Sequence, residues 1–218
     1  PLSMGAGIYL SEYAKKGRFT NFIRTCIEIL SSLPSVVVGL FGYLIFVVQF
    51  QYGFSIISGA LALTVFNLPQ MTRNVEDGLR NVHHTQREAG LALGLSRWET
   101  VVHVVVPEAL PSIVTGIVLA SGRIFGEAAA LIYTAGQSAP ALDWSNWNPL
   151  SVTSPISIFR QAETLAVHIW KVNSEGTIPD ATQVSQGSAA VLLGFILIFN
   201  LSARYIGKKL HAKLTSAN

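Results

Sequence analysis

Residues 33–50, 54–72 and 189–203 of this chain contain no charged side chain. A helix crossing a bilayer needs about 17–25 mostly apolar residues, so the first two runs are long enough and the third becomes so if it begins near Val184. A fourth run, 110–134, would cross with Arg123 and Glu127 inside it. Residues 1–10 look like the tail of another span, so the sequence reads as a fragment lacking an N-terminal region. Lipid satisfies no backbone N–H or C=O, which makes a helix the form such runs take. The expectation is an all-α membrane protein with about five spans visible.

Composition agrees. The chain is 50% hydrophobic and only 12% charged, against roughly a quarter charged in a typical soluble domain. Its one cysteine, Cys26, excludes an intrachain disulfide. A pI near 9.2 would favour nucleic acid in a soluble protein. Here the basic residues follow membrane topology instead, and no nucleic-acid partner is expected. Nothing in the sequence forms a P-loop, a glycine-rich phosphate cradle or a metal-ligand cluster. No catalytic residue, metal or cofactor is therefore expected on this chain, and whatever energises it lies on another.

Sidedness follows from charge. With 12–32, 73–107 and the tail after Ala203 on one side, that side carries Lys15, Lys16, Arg18, Arg24, Arg73, Arg80, Arg87, Arg97, Arg204, Lys208, Lys209 and Lys213. The opposite side, chiefly 135–183, carries only Arg160 and Lys171. Lysine and arginine concentrate in cytoplasmic loops, so the segment 73–107 is cytoplasmic. In the external loop 135–183, Pro155 after Ser154 suits a helix start. Ile156, Phe159, Ala162, Leu165, Ala166, Ile169 and Trp170 then approximate one apolar face, and Trp144 and Trp147 suit the membrane interface. That face fits either a surface-lying helix or a landing site for an external solute-binding protein.

The cytoplasmic stretch 85–107 reads as an elbow of two short helices. Thr85 with Glu88, and Ser96 with Glu99, fit the S/T-x-x-E capping box. Gly94 falls where a helix would end with positive φ, and Pro107 is expected to stop the second helix. His83 and His84 are read as solvated, while His103 and His168 lack the further ligands a metal site needs.

The run 110–134 carries the candidate chemistry. Pro111 fits a first helical turn. Ser112, Gly116 and Ala120, and likewise Gly122, Gly126 and Ala130, recur at spacing four, which lets a neighbouring helix approach closely. Arg123 and Glu127 fall one turn apart. Ionisable groups in a span face protein or a water-filled path. Two roles compete: mutual neutralisation, or presentation of the Arg123 fork to an oxyanion with Glu127 orienting it. The order Arg before Glu is the weaker one for an i, i+4 helix pair, which favours the anion pathway.

The elbow resembles the EAA motif of ABC importer permeases: Glu88-Ala89-Gly90, three residues, Gly94, nine residues, then Val104-x-Val106-Pro107. Gly90 stands for the second alanine, and valines for isoleucine and leucine. Gly5–Ala14 (5–14), 33–42, 111–116 and 122–127 extend the likeness, and 131–136 with 154–156 make it closest to the A subunit of phosphate-specific transport systems. The resemblance implies the six-helix type I importer (MetI-like) bundle over 1–218, partial at its N-terminus, in a bacterial cytoplasmic membrane. It implies a C-type permease partner, two ATPase subunits binding ATP and Mg, an extracytoplasmic phosphate-binding protein, and surrounding membrane lipid. Glu88, Ala89, Gly90, Gly94 and Pro107 would couple to the ATPase. Gly116, Gly122 and Gly126 would pack helices, and Arg123 and Glu127 would line the path. Sulfate or molybdate import is the nearest alternative, and a non-transporting scaffold another. An intramembrane hydrolase using Ser121 is disfavoured, since no G-x-S-x-G is present and neither His103 nor His168 is expected in a span.

Overall fold

The structure is a computed structural model that describes residues 1–215 apart from Lys16 and 176–178, without the side chains of 210, 211 and 213–215. Lys16 and the Lys213 side chain, both counted above toward the cytoplasmic side, lie outside the described residues. Ten α-helices are present among those residues: α1 Leu2–Ile8, α2 Arg18–Ser31, α3 Ser35–Gly42, α4 Ile56–Arg80, α5 His84–Ala92, α6 Arg97–Thr100, α7 Val106–Phe125, α8 Ala129–Thr134, α9 Leu165–Glu175 and α10 Ala181–Thr215. Wider π-helical turns extend α1, α3 and α6 over Tyr9–Tyr13, Tyr43–Gln49 and Val101–Val105.

Among the described residues two helices are long and apolar enough to cross a membrane by themselves, Arg97–Phe125 and Ala181–Lys209. A third is reached if Arg18–Ser31 and Ser35–Gln49 are counted as one broken span. The run 54–72 is helical as expected, but α4 continues to Arg80 and buries the polar Asn67 and Thr72. Protein rather than lipid surrounds that part of it.

The chain gathers into two compact units, one of Pro1–Ser31, Asn67–Gly122 and Leu197–Asn218, the other of Ser32–Phe66 and Arg123–Ile196. In the first, the C-terminal half of α4 runs antiparallel to α7. Val75, Leu79 and Val82 interdigitate with Val105, Ala109 and Ile113, and Met4 and Ile8 of α1 pack against them. Burying each such side chain contributes about 1.5–3 kcal/mol where water is the alternative. The seam is tight at Gly78 against Ile113 and Ser112, and at Gly116, where an added Cβ would lie 2.9 Å from the Asn74 Cβ. Asn74 Nδ2 donates to the Gly116 carbonyl at 3.4 Å. The Ser112–Gly116 stripe is therefore a packing seam. The Gly122–Gly126–Ala130 stripe is not, because the helix ends between its members. A Cβ on Gly122 or Gly126 would meet nothing closer than 3.7 Å.

In the second unit α3 lies against α8. Gly39 sits so close that a Cβ would be 2.8 Å from the Ala130 Cα, and Gly42 would meet Ala62 and Thr134 at 2.9 Å. The buried N-terminus of α4 is satisfied by its surroundings: Ser55 N–H donates to the Thr134 carbonyl, Ile56 N–H to Arg160 and Ile57 N–H to Ile158. The Ser55 hydroxyl accepts from Ser58 N–H. These are the orphan donors of a helix start, so the carbonyls of residues 158 and 160 must stay free of helical bonding to serve them.

That requirement explains one departure from the sequence reading. Residues 154–164 form turns rather than a helix begun by Pro155, and α9 starts at Leu165, where the Thr164 hydroxyl accepts from Val167 N–H. A second departure concerns proline. Pro107 does not stop its helix, and Pro111 is not in a first turn. Arg97–Phe125 is continuous, with both prolines inside it. The Val101–Val105 turn is π-helical, with Val106 N–H reaching back to Val101 O. This widened turn accommodates the missing N–H and the ring of Pro107. The expected continuous span 110–134 instead breaks over Gly126–Ala128.

Gly39→Ala should destabilise the protein by about 1–3 kcal/mol, because its contacts are backbone atoms that cannot swing aside. Gly194→Ala, on the open side of α10 with nothing within 4 Å, should be neutral or mildly stabilising. Thermal unfolding in detergent measures both.

Candidate functional site

The elbow is built by local chemistry. α5 ends in a Schellman motif: Gly94 N–H donates to Leu91 O at 3.0 Å, Leu95 N–H to Gly90 O at 3.2 Å, and Gly94 has φ +84°. Only glycine takes that conformation at little cost. Ser96 then opens α6 with a complete capping box, Glu99 N–H donating to Ser96 Oγ and Ser96 N–H to Glu99 Oε2. The Ser96 hydrogen bonds hold the Glu99 carboxyl below its ordinary range. The first expected box does not form. α5 begins at His84 with His83 as an N-cap that makes no side-chain bond, and Glu88 Oε1 lies 3.1 Å from His84 Nδ1 instead. Gly90 faces Thr100, whose Cγ2 would lie 2.7 Å from an added Cβ. Glycine in place of alanine is thus explained by the close approach of the two elbow helices. Glu88 and Ala89 are exposed, as are Leu91, Leu93 and Trp98, at 51%, 83% and 58%. This surface is too apolar to be an ordinary hydrated loop.

Behind that surface lies a polar hub that the sequence reading missed. Arg87 grips the buried Glu12 carboxylate through Nη2 at 2.8 Å and Nε at 3.2 Å. It also donates to Leu79 O and Val82 O, both at 2.7 Å, joining the Val82 N–H at Leu79 O and so bracing the chain where α4 ends. Arg97 donates to the Glu12 carbonyl and stacks over the Tyr13 ring at 5.1 Å. Both elbow helices are therefore tied to the π-helical end of α1. Burial alone would raise the Glu12 pKa. Hydrogen bonds from Arg87 and Ser11, with the charges of Arg87 and Arg97, outweigh it and leave the carboxyl below its ordinary 4.5. A cavity of about 330 Å³ opens beside the hub, between Glu12, Arg87, Glu88, Arg97 and Thr100. A second buried carboxylate, Glu76, holds Arg24 at 2.8 Å and Arg80 at 3.4 Å. Glu12 and Arg87 are 75 positions apart, beyond any local spacing rule.

The structure separates Arg123 from Glu127. α7 ends at Phe125, Glu127 lies in the break, and its Oε1 accepts from Ala130 N–H at 3.2 Å, at the start of α8. No ion pair joins the two residues. Arg123 remains exposed, with its guanidinium 4.6 Å above the buried Phe66 ring. Pro107, expected at the end of the elbow, lies inside the helix that leaves it.

No group of three metal-ligating side chains occurs among the described residues. His168 Nδ1 faces Glu163 at 2.8 Å. His103, expected outside any span, lies in the continuous helix Arg97–Phe125 with Nδ1 3.1 Å from the Glu99 carbonyl.

Comparison with known proteins adds three findings. The model of the family described as binding-protein-dependent transport system inner membrane component matches residues 3–215. The chain is 57% identical over 216 residues to the probable ABC transporter permease protein YqgI of Bacillus subtilis, covering 99% of this chain and 74% of that protein. It is 36% identical over 207 residues to the phosphate transport system permease protein PstA 2 of Mycobacterium tuberculosis, covering 94% and 64%. With PstA of Haemophilus influenzae it shares 32% over 204 residues, covering 94% and 67%. The chain thus spans about two thirds of the length of these phosphate permeases. Among solved structures, an inward-facing MetNI methionine ABC transporter matches with a TM-score of 0.69 at 17% identity, over 95% of this chain and 85% of that one, a likeness of fold.

Glu12→Gln should loosen the hub by about 1–3 kcal/mol, since Arg87 loses a charged partner. The folded carboxyl titrates below its unfolded value. Its stabilisation is therefore full above about pH 4.5 and lost as pH falls through the lower, folded pKa. Thermal unfolding from pH 7 to pH 3 should show a gap between wild type and variant that closes only at the acid end.

Proposed function

The chain belongs to the binding-protein-dependent transport system inner membrane component family, and from that premise we propose that it is the permease subunit that carries inorganic phosphate inward. That it is an ABC importer permease follows from the family. The phosphate assignment is supported by relatives named as phosphate transport permeases, at 32–36% identity over most of the chain.

The observation that carries the mechanism is the anchored elbow. An exposed apolar surface at Leu91, Leu93 and Trp98 is held at fixed angles by the Gly94 and Ser96 caps and bolted through Arg87 and Arg97 to Glu12. In this reading one of two ATPase subunits, which bind ATP and Mg, docks on that surface with Glu88 and Ala89 at the contact and Gly90 behind them letting the elbow helices close together. Their closure moves the elbow as a unit, and Arg97–Phe125 transmits the movement because it is one continuous helix from α6 through Pro107. A C-type permease completes the path, and an extracytoplasmic phosphate-binding protein delivers the anion to the external side, in a bacterial cytoplasmic membrane. The chain itself performs no covalent step.

Arg123 is the proposed contact for the anion. With Glu127 engaged at the start of α8, the guanidinium is not neutralised by a carboxylate, and the Phe66 ring supports one face while leaving its N–H edge free to hydrogen-bond. A planar fork suits a tetrahedral oxyanion.

Two measurements test this reading. Gly94→Val places a β-branched residue at φ +84°, costing about 1–3 kcal/mol of local strain. It should lower ATP-driven phosphate uptake in vesicles carrying the partner proteins while leaving membrane insertion intact. Glu88→Lys should act likewise by altering the docking surface. Normal ATPase co-purification and uptake in both variants would overturn the coupling role. For Arg123, uptake should fall from wild type through Arg123→Lys to Arg123→Gln, and Glu127→Gln should not restore the latter. Competition by sulfate or molybdate at concentrations equal to phosphate would reassign the solute.

A further inference from the structure

α2 has the wrong polarity for a helix bathed in water. At 100° per residue Phe19, Phe22, Ile23, Ile27, Ile29 and Leu30 share one arc, and the polar residues share the other. On a water-soluble protein the apolar arc would face inward. Here Phe19, Phe22, Ile29 and Leu30 are 75%, 65%, 56% and 48% exposed. The polar arc is the one engaged with protein. Thr20 is buried and donates to Lys15 O at 2.7 Å; Arg24 bonds Glu76 at 2.8 Å and Leu10 O at 2.9 Å; Glu28 pairs with Arg73 at 3.2 Å.

Three further features identify the neighbour of the apolar arc. Fourteen residues rise only about 21 Å, short of the roughly 30 Å hydrocarbon core, and Arg18, Arg24 and Glu28 interrupt them. α2 does not cross. It is followed within three residues by the charge-free run 33–50, so its C-terminal end is held at the membrane boundary. At its other end Lys15 and Arg18 are exposed, with no carboxylate partner among the described residues. A short amphipathic helix with aromatic residues on one side and cations at its edge is the form that lies in a bilayer interface.

We propose that α2 is a lipid-binding helix of the cytoplasmic leaflet, with its apolar arc among acyl chains and Lys15 and Arg18 on the phosphates of anionic lipid. The proposal is independent of the solute carried. Through Arg24–Glu76 and Glu28–Arg73 it also attaches α4 to the membrane surface just before the elbow.

The test is power-saturation EPR on the assembled transporter in nanodiscs, in a Cys26→Ser background. Nitroxides at Phe22→Cys and Ile29→Cys should be relaxed by oxygen and shielded from a water-soluble nickel chelate, and those at Asn21→Cys and Thr25→Cys the reverse. Nickel access at 22 and 29 would mean open water and would overturn the proposal. Access to neither reagent there would mean a protein partner covers the arc, and would overturn it equally. In the second arm, raising the phosphatidylglycerol content of phosphatidylcholine discs should deepen the label at 22. Each cation near an anionic surface strengthens attachment about five-fold, so Lys15→Gln with Arg18→Gln should abolish that dependence. An unchanged dependence would overturn the anionic-lipid assignment.

Discussion

The buried carboxylate of Glu12 is the fixed point of the elbow region of this protein. A carboxylate withdrawn from water loses several kcal/mol of hydration unless charge and hydrogen bonds replace it. Here Arg87 supplies a two-pronged contact, and Arg97 binds the carbonyl of the same residue. Because Arg87 also serves Leu79 O and Val82 O, the interaction that neutralises Glu12 closes the end of α4 and sets where α5 begins. Removing the carboxylate would break the side-chain tie between α5 and the π-helical end of α1, leaving Arg87 only its carbonyl partners and Arg97 its bond to the Glu12 backbone. The elbow is thus held by a buried ion pair rather than being a free connection.

The helix leaving the elbow contains a proline in an unexpected place. Read locally, Pro107 ends a helix, since it lacks an N–H and its ring collides with the preceding turn. The widened Val101–Val105 turn removes the conflict without breaking the rod. A helix that stopped at Pro107 would hinge there, and the elbow would move without the span. The break is displaced to Gly126–Ala128, beyond Arg123, where Glu127 restarts the next helix through Ala130 N–H. Arg123 therefore sits two residues before the end of an unbroken helix, with the irregular backbone just past it.

What could be read from the sequence was what local rules govern. Gly94, the Ser96–Glu99 box and the helical nature of the apolar runs follow from conformational preference and period, and they stand in the structure. The Thr85–Glu88 box was lost by a two-residue shift of the helix start, which left Glu88 facing His84. The helix expected from Pro155 lost to a longer-range demand, since residues 158–160 supply acceptors to the start of α4. The Arg123–Glu127 pair presumed a continuous helix, and its glycine-rich surroundings are where the helix ends. Glu12 could not be found at all: its partners lie 75 and 85 positions away, and its meaning exists only once α1 and the elbow are adjacent.

A final constraint explains why glycines and ion pairs, rather than large apolar clusters, do the joining. The apolar window of α10 is 0% buried, so its leucines and phenylalanines face the surroundings. In lipid such side chains gain little by turning inward, because acyl chains solvate them as well as a core does. Cohesion must then come from contacts lipid cannot make. Backbones approach at Gly39 and Gly116, where even a methyl group would collide, and polar groups such as Asn74 find acceptors on the facing helix. The same logic accounts for α2: once hydrogen bonds and charges are the scarce resource, a helix turns its polar arc to the protein and leaves its phenylalanines outside.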